Sequence, residues 1–415
     1  MSVDVAVVGA GLAGLSCALR LGELGLSCQV LEGADAVGGR LRSDRGNGFV
    51  LDRGFQVLLD SYPEVRARLD LGALRTGAFE PGALVRRGGG FWRVTDPWRR
   101  PWLALSTMRA PFVSWGDAWR MLGLRADALR APLEAPDVGM GAYLAQRGFS
   151  EPMRNAFFGP FFRGVTLDPA LERPASFFLQ LFGWFARGSA VLPARGMQAI
   201  PEQLAERLAA DQLRLAAPVG ELREGALVLE DGERIECGAQ VLATEPDAAR
   251  RLLGAPADAE WLSTTTIYYA AERSPVGEPI LVLHGEDRDE GPVHHLCVLS
   301  DAQPSYAPAG AALVSVSLLG VPGASDAELD SAARAQLEGW YGAEVRGWEL
   351  LRVDRVRRAL PQRCIGADMP SPRQGVHLCG DYTRTPSIQG ALESGRRAAE
   401  AVAAELGALE PALAR

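Results

Sequence analysis

The start of the chain alternates apolar runs with glycines in a pattern that is typical of a β-α-β unit. A near-continuous apolar run, Val3 to Val8, predicts a strand that is buried on both faces of a parallel sheet. A second short apolar run, Cys28 to Leu31, predicts the next strand, and it ends at Glu32. The apolar positions between the two runs have helical spacing: Leu12, Leu15, Ala18, Leu19 and Leu21.

The turn between the first strand and the helix carries a dinucleotide-binding pattern. Gly9, Gly11 and Gly14 have GxGxxG spacing, which serves a tight turn, close approach to a pyrophosphate and close helix packing. The helix N-terminus offers N–H groups and partial positive charge to the phosphates. Glu32, at the end of the second strand, can accept hydrogen bonds from both hydroxyls of a ribose. The residues predicted to contact the dinucleotide here are Gly9, Gly11, Leu12, Ala13, Gly14, Glu32 and Gly33.

Residues 377–402 show a similar strand, turn and helix near the other end of the chain. A short apolar strand runs into Gly380 and Asp381, and a loop of Thr, Pro and Ser follows. A helix rich in Ala and Arg then opens near Gly390. An ordinary amphipathic helix needs neither the Gly-Asp pair nor the glycine at its start, so this segment indicates a second part of the ligand site.

The middle of the chain predicts two groups of strands. Residues 196–208 predict a helix, and short strands follow at 213–216, 219–224, 226–229 and 240–243. A second group covers the segments 264–272, 279–285, 294–300 and 311–319. Ser325 with Glu328 three residues later predicts a capping box at the start of a helix. The glycine-rich stretch 86–91 lacks the helix that a second nucleotide site requires, so bound NAD(P)H is not expected.

The segments "GADAVGGRLRS" and "LDRGFQVLLDSYPE", together with "GDYT…GALESGRRAA", carry a family resemblance. The chain resembles the FAD-binding flavoproteins of the amine oxidase, protoporphyrinogen oxidase and phytoene desaturase superfamily. The form of the C-terminal segment is most similar to the carotenoid and squalene-type desaturase branch.

The resemblance implies a set of FAD contacts. Gly39 and Arg40 would lie on the diphosphate side, and Gly54 and Phe55 would pass close to the flavin. Asp381, after Gly380, would bind a ribityl hydroxyl. The backbone of Val219 would meet the adenine, and the backbone of Gln389, Gly390 and Ala391 would face the flavin. Cys364 does not lie in the motif that carries covalent flavin, so FAD is expected to be noncovalent.

The expected fold class is α/β, with a discontinuous, GR2-like Rossmann-type FAD-binding domain and an inserted α+β substrate domain. The FAD-binding domain would comprise residues 1–75, 190–250 and 350–415. The substrate domain would comprise residues 76–189 and 251–349, including a helical part that is rich in Trp and Phe.

That helical part allows two interpretations. Five of the nine tryptophans lie between Trp92 and Trp119, and a helix beginning at Ser114 carries Trp115, Trp119, Leu122, Ala126 and Leu129 on one stripe. Phenylalanine-dense segments follow at 155–164 and 175–185. The stripe is either the core of a helical subdomain or the mouth of an apolar tunnel that contacts a membrane peripherally.

Composition narrows the partners. The net charge of -8 argues against nucleic acid, which requires a basic face. The six cysteines form no CxxC pair and the four histidines show no metal-ligand spacing, so we expect a reduced cytoplasmic protein and no metal. Any membrane contact would be peripheral, on the inner face, because no run of 18 apolar residues occurs.

The resemblance implies an FAD-dependent oxidoreductase that takes a hydride from a C–H bond of an apolar substrate to flavin N5. A phytoene, carotenoid or squalene-type desaturase is favoured, with quinone or oxygen as external acceptor, and no catalytic side chain can be named. A flavin amine oxidase is a rival, although many members keep a lysine near the flavin and this chain has no lysine. A protoporphyrinogen oxidase-like enzyme remains open. The non-enzymatic alternative is a lipid-binding module like the GDP-dissociation inhibitors, which share the fold without flavin.

Overall fold

A computed structural model describes residues 2–130, 136–287, 290–362 and 373–408. Cys364, on which the expectation of noncovalent FAD depends, lies outside the described residues. The five cysteines within them are buried and free.

Strands and helices are interspersed along the described residues. The strands are β1 (Ser2–Val8), β2 (Cys28–Leu31), β3 (Ser43–Gly46), β4 (Phe49–Asp52), β5 (Leu58–Leu59), β6 (Gly77–Ala78), β7 (Gly82–Arg87), β8 (Gly90–Thr95), β9 (Ala190–Leu192), β10 (Leu213–Arg214), β11 (Val219–Arg223), β12 (Ala226–Leu229), β13 (Arg234–Leu242), β14 (Trp261–Ala271), β15 (Leu281–His284), β16 (His295–Val298), β17 (Ala312–Leu319), β18 (Glu349–Pro361) and β19 (Val376–Leu378). The α-helices are α1 (Leu12–Glu23), α2 (Pro63–Arg68), α3 (Leu71–Leu74), α4 (Ala104–Met108), α5 (Trp115–Leu129), α6 (Met140–Gln146), α7 (Glu151–Met153), α8 (Gly159–Thr166), α9 (Ala175–Arg187), α10 (Ala199–Ala205), α11 (Pro246–Leu252), α12 (Leu299–Ala302), α13 (Asp326–Tyr341) and α14 (Ile388–Glu405).

The first sheet is built on parallel strands in the order β10, β2, β1, β13 and β19. The antiparallel strands β12 and β11 extend it beside the first half of β13. Its central strand β1 is buried from Val5 to Val8, as its continuous apolar run predicts. Helix α14 crosses close to α1 on one side of this sheet: a Cβ atom on Gly395 would lie 2.0 Å from the Ala13 carbonyl oxygen. This sheet therefore joins the two ends of the chain.

The second sheet has the order β18, β14, β17, β16, β15, β7 and β8. Its pairs are antiparallel except β7 with β15, which are parallel. The glycine-rich stretch at 88–90 forms the tight turn between β7 and β8, with positive φ at Gly88 and Gly89. Helix α13 begins with the predicted capping box of Ser325 and Glu328 and packs on this sheet.

Some boundaries differ from those that the pattern predicts. Strand β18 pairs with β14 in the second sheet, although the expected division placed residues from 350 onward with the FAD-binding domain. The helix expected over 196–208 is confined to α10, and the strand expected from 240 begins at Arg234. The local sequence pattern of a strand does not indicate which other strand it pairs with, so it could not assign β18 to a sheet.

The tryptophan stripe of α5 does not lie in the core. Trp115 is 73% exposed and Trp119 is 72% exposed, whereas Asp117, Leu124 and Ala128 on the opposite side are buried. The core interpretation of this stripe is therefore wrong. It holds for the phenylalanine segments, in which Phe158, Phe162 and Phe178 are fully buried and pack ring against ring.

No helix in the described part of the chain combines the length and the apolar character that crossing a bilayer requires.

Candidate functional site

A cavity of about 1510 Å³ opens at the carboxyl edge of the first sheet. Parallel strands end at this edge, and the residues that follow β1, β2, β13 and β19 all line the cavity: Gly9, Glu32, Thr244 and Gly380. Ligands of open α/β sheets bind outside the carboxyl ends of the strands. The cavity therefore lies where the sequence places a dinucleotide.

The glycine turn after β1 fits a pyrophosphate. Gly9 has φ +103°, and a Cβ atom on Gly14 would lie 1.9 Å from the Gly9 carbonyl oxygen, so Gly14 lets α1 pack against the turn. A Cβ atom on Gly11 would meet nothing within 4 Å, and Gly11 lines the cavity. The missing side chain thus leaves room at the N-terminus of α1, where the N–H groups of the first turn have no partners within the helix.

Glu32 is held in place by two backbone groups. The N–H of Ala10 donates to Oε2 at 2.7 Å, and the N–H of Ala34 donates to Oε1 at 2.9 Å. A carboxylate has about four acceptor positions, so each oxygen keeps one for a hydroxyl group. The side chain lines the cavity, and this geometry suits the two hydroxyls of a ribose.

Arg40 and Asp381 form an ion pair, although the sequence suggested separate contacts for them. The Arg40 Nη2 group donates to Asp381 Oδ1 at 2.5 Å, and Nη1 donates to the Ala359 carbonyl oxygen at 2.9 Å. The Asp381 side chain is only 4% exposed, and both residues line the cavity. The pair therefore brings residues 341 positions apart to one part of the cavity wall.

The loop at Gly54 and Phe55 connects the cavity to the second sheet. The N–H of Phe55 donates to Thr266 Oγ1 on β14 at 3.1 Å, and the N–H of Gly54 donates to Asp354 Oδ2 on β18 at 3.4 Å. Gly54 has φ +84°, and an added Cβ atom would lie 3.0 Å from Val356 Cγ2. The loop thus presents its backbone to the cavity with no space for a side chain at Gly54.

The C-terminal helix reaches the cavity two residues earlier than predicted. Ser387 caps α14 by accepting from the N–H of Gly390 at 3.0 Å, and the wall is formed by Ser387, Ile388 and Ala391. Gln389 and Gly390 lie behind this wall. The Gln389 Oε1 atom accepts from the N–H of Glu64 at 2.9 Å, and a Cβ atom on Gly390 would lie 2.0 Å from the Thr385 carbonyl oxygen.

Most predicted site residues meet at this one cavity. The wall contains fourteen of them: Gly9, Gly11, Leu12, Ala13, Glu32, Gly33, Gly39, Arg40, Gly54, Phe55, Val219, Gly380, Asp381 and Ala391. Gly14, Gln389 and Gly390 support it from behind. The open space over Gly11, the acceptor positions of Glu32 and the volume of the cavity fit FAD.

The half of the remaining wall that α8, α9 and β15 form is aromatic and aliphatic, whereas charged residues such as Asp44, Arg53 and Asp354 line the cavity elsewhere. This half includes Phe161, Phe177, Leu181, Phe185 and Leu281. His295 of β16 is a polar member, and burial lowers its pKa to about 4, so the imidazole is neutral at pH 7. This half can bind an apolar molecule without offering it a charge.

Sequence reasoning did not identify Thr264 and His295 as site residues. Each lies within an apolar strand segment, and nothing nearby in the sequence shows which side of the strand meets the cavity. Positively charged residues of β18 that line the cavity, Arg352, Arg355, Arg357 and Arg358, were also not identified. The concentration of four arginines within residues 352–358 was the available signal.

A second, smaller cavity of about 180 Å³ lies beyond the aromatic half. The two cavities share Phe55, Val57, Phe161, Val165, Phe185 and Leu281. At its other end the small cavity is lined by Trp98, Arg99 and Arg125. The small cavity therefore lies between the aromatic half of the site and the segment before α4, separated from the large cavity only by side chains that line both.

Among the described residues, no group of three or more His, Cys, Asp or Glu side chains is arranged to hold a metal ion.

Comparison with known proteins agrees with this geometry. The family model for flavin containing amine oxidoreductase matches residues 12–403. A protoporphyrinogen oxidase 2, chloroplastic/mitochondrial, from Arabidopsis thaliana is 46% identical over 66 residues, which are 16% of this chain and 13% of the relative. A hydroxysqualene dehydroxylase from Rhodopseudomonas palustris is 46% identical over 61 residues, 14% of this chain and 15% of the relative. The matches thus span well under two thirds of either relative's length.

Solved structures match over nearly the whole chain. A triple mutant of putrescine oxidase superposes with a TM-score of 0.74 at 19% identity, covering 97% of this chain and 99% of that chain. A likeness at this identity establishes the fold.

Proposed function

The chain belongs to the family of flavin-containing amine oxidoreductases and is an FAD-dependent oxidoreductase; from this premise we propose that it dehydrogenates an apolar, polyisoprenoid-like substrate. The reaction would be of the phytoene, carotenoid or squalene-type desaturase class, with quinone or oxygen as the external acceptor. A peripheral contact with the inner face of a membrane is part of the same proposal. The observation that carries it is the uncharged, phenylalanine-rich half of the cavity.

FAD bound at the carboxyl edge of the first sheet supplies a hydride acceptor. The positions of the site residues in the wall support the roles proposed for them. Glu32 would accept hydrogen bonds from the ribose hydroxyls, the N-terminus of α1 and Gly39 would meet the diphosphate, and the backbone of Val219 would meet the adenine. The ion pair of Arg40 and Asp381 would orient the middle part of the cofactor. Because the two side chains are bonded to each other, a change in either one would also alter the contact that the other makes with the cofactor.

The N-terminus of α14 contributes electrostatically. A helix N-terminus carries partial positive charge, and Ser387, Ile388 and Ala391 bring that end of α14 to the cavity. Negative charge that develops beside it is therefore stabilised.

The aromatic wall serves the substrate. Phe161, Phe177 and Phe185 exclude water and pack against a hydrocarbon chain. Neutral His295 adds a polar group without a charge, so it does not hinder an apolar ligand as a buried imidazolium would. No side chain is required as a base in this proposal if the second hydrogen leaves from an activated allylic carbon.

The test is anaerobic reduction of the FAD-loaded protein. Phytoene or squalene in detergent, a polyamine and a protoporphyrinogen are each mixed with the protein, and loss of the oxidised-flavin absorbance is followed. We expect reduction by the polyisoprenoid. Reduction only by the amine, or only by the tetrapyrrole, would overturn the substrate class and leave the family assignment intact.

A further inference from the structure

We propose that the exposed apolar side of α5, with the segment before it, docks on an anionic lipid bilayer and admits substrate from the membrane into the aromatic cavity. This tryptophan face comprises Trp98, Trp102, Leu105, Trp115, Trp119, Leu122, Ala126 and Leu129. The identity of the substrate that uses this route rests on the proposed function. The docking surface itself rests on the exposure, charge and position of the tryptophan face.

The tryptophan face is unusually exposed for its composition. Trp102 is 71% exposed and Leu105 is 70% exposed, values that match those of Trp115 and Trp119. Positions 115, 119, 122, 126 and 129 lie on one side of α5, directly opposite the buried Leu124 and Ala128. Contiguous exposed apolar surface of this kind marks an interaction site.

The local charge identifies the occupant. Residues 97–130 contain six arginines and two acidic residues, in a chain whose net charge is -8. Both acids are engaged within the protein: Asp117 accepts from Ser114 and Ser150, and Asp127 pairs with Arg147 at 2.6 Å. Arg100 and Arg125 are paired with Glu80 and Asp96, so the positive charge that faces outward comes from exposed arginines such as Arg109 and Arg120. Trp and Arg together on one helix are typical of a surface that binds the anionic headgroup region of a bilayer.

Exposed arginines lie near the tryptophans in the sequence, although position 120 is on a different side of α5 from the stripe of Trp115 and Trp119. Arg109 and Arg120 are exposed, and Arg120 is adjacent in sequence to Trp119. The Arg100 guanidinium lies 5.7 Å from the ring centroid of Trp102. A surface that is both basic and aromatic complements the lipid phosphates and glycerol carbonyls, which lie at the same depth in a bilayer. A purely apolar partner surface would leave the arginines unpaired.

The small cavity ends beside this face. Trp98 and Arg125 line its outer end, and the Arg125 guanidinium lies 4.5 Å from the Trp98 ring centroid. Arg125 also pairs with Asp96 at 2.8 Å. From there the apolar lining continues through Phe161 and Phe185 to the large cavity. The proposed route for a hydrocarbon therefore runs from a docked bilayer at Trp98 past the apolar side chains that the two cavities share.

The first experiment measures binding of the FAD-loaded protein to vesicles. Phosphatidylcholine vesicles are compared with vesicles containing phosphatidylglycerol, by co-sedimentation at low and high salt. We expect binding to the anionic vesicles and at least a roughly tenfold loss in Trp115→Ser/Trp119→Ser, because the buried apolar area falls. The control Leu215→Ser/Leu406→Ser removes exposed leucines from other elements and should bind like the natural protein. Equal binding of the tryptophan variant and the natural protein would overturn the proposal.

A second variant tests the charge without removing apolar area. Arg109→Gln/Arg120→Gln should weaken binding to anionic vesicles by roughly fivefold for each arginine, since each is worth about 1 kcal/mol at such a surface. Arg223→Gln/Arg397→Gln, at exposed arginines of the first sheet and α14, is the matched control. Equal losses in both pairs would show a nonspecific charge effect and contradict the tryptophan face as the docking surface.

The route is tested by presenting the polyisoprenoid in two ways. Trp115→Ser/Trp119→Ser should reduce its flavin normally with substrate in detergent and slowly with substrate in anionic vesicles. If no polyisoprenoid reduces the flavin in either form while vesicle binding still depends on the tryptophans, the proposed function fails and the docking surface stands. If the protein reacts in detergent and stays off the vesicles, docking fails and the proposed function stands. A shift of the natural protein from dimer to monomer on Trp115→Ser/Trp119→Ser would assign the face to a second copy of the chain and overturn the membrane proposal.

Discussion

At the scale of single residues, Glu32 is the carboxylate whose position was most sharply predicted. It follows β2 and is fixed by the N–H groups of Ala10 and Ala34. Glu32→Gln keeps one carbonyl oxygen and the packing but replaces the other acceptor by an NH₂ group. We expect about ten- to hundredfold weaker FAD binding, since a hydrogen bond to a charged group is worth about 1.5–3 kcal/mol. Titration of the apoprotein with FAD measures this change, and an unaltered dissociation constant would remove Glu32 from the ribose site.

Asp52 makes stability depend on pH. Its carboxylate accepts from Ser43 Oγ, from the N–H of Met197 and from the hydroxyl of Tyr306, yet burial dominates and raises its pKa to about 6. The neutral form is thus favoured in the folded state, so the stabilisation is present at low pH and is lost as the pH rises through about 6.

Asp52→Asn tests this because it removes the titrating group. From about pH 5 to about pH 7, the free energy of unfolding of the natural protein should fall by about 1–2 kcal/mol relative to the variant. Urea denaturation of both proteins at the two pH values measures the difference. Other titrating groups, including His294 and His295, are common to both proteins and cancel. A difference that is independent of pH would contradict the raised pKa.

The residues that a local sequence signal identifies lie together in the structure. The GxGxxG spacing and the acid after β2 are contained within 24 residues, Gly9 to Glu32, and the structure brings them to one cavity. The pairing of Arg40 with Asp381 could not be predicted in the same way, because it joins positions that only the folded sheet brings together. The neutral state of His295 likewise follows from burial, which the sequence does not state.

At the scale of elements, the contact between α1 and α14 holds the site together. Both helices begin at the cavity, and a Cβ atom on Gly395 would lie 2.0 Å from the Ala13 carbonyl oxygen. Gly395→Ala must therefore push the helices apart, and we expect a loss of about 1–3 kcal/mol in the free energy of unfolding, with weaker FAD binding. Gly22→Ala on α1 is the control: its Cβ atom would meet nothing within 4 Å, so it should stabilise the helix by up to about 1 kcal/mol. Thermal melts of the two variants should shift in opposite directions.

Helix α5 shows what a periodic pattern can and cannot predict. Its length, its start at Ser114 and its apolar stripe follow from the sequence, and the capping box of Ser114 and Asp117 confirms the start. The pattern does not say which side the rest of the protein covers. Here the covered side is the one with Leu124 and Ala128, so the most apolar stripe is left exposed.

At the scale of the whole molecule, the cavity contacts both sheets, so its ligand should couple them. FAD that binds only the folded protein stabilises it by about 2.7 kcal/mol at a concentration one hundred times the dissociation constant. We therefore expect the melting temperature of the stripped protein to rise by several degrees with added FAD. Calorimetry over a range of FAD concentrations measures this, and Glu32→Gln should need more FAD for the same rise. A melting temperature that does not respond to FAD would contradict a site between the sheets.

The division into domains was the least predictable feature at this scale. Strand β18 stands next to the C-terminal FAD segment in the sequence but pairs with β14 along most of its length. Its polar and charged residues gave no periodic signal for either sheet.

The junction of the chain ends in the first sheet also sets an order of events during synthesis. Strand β1 and helix α1 are synthesised before β19 and α14. Until the later elements appear, β13 lacks one parallel neighbour and α1 lacks the helix that packs on it. The nascent chain therefore keeps this apolar surface uncovered, and the FAD site incomplete, until β19 and α14 have been made.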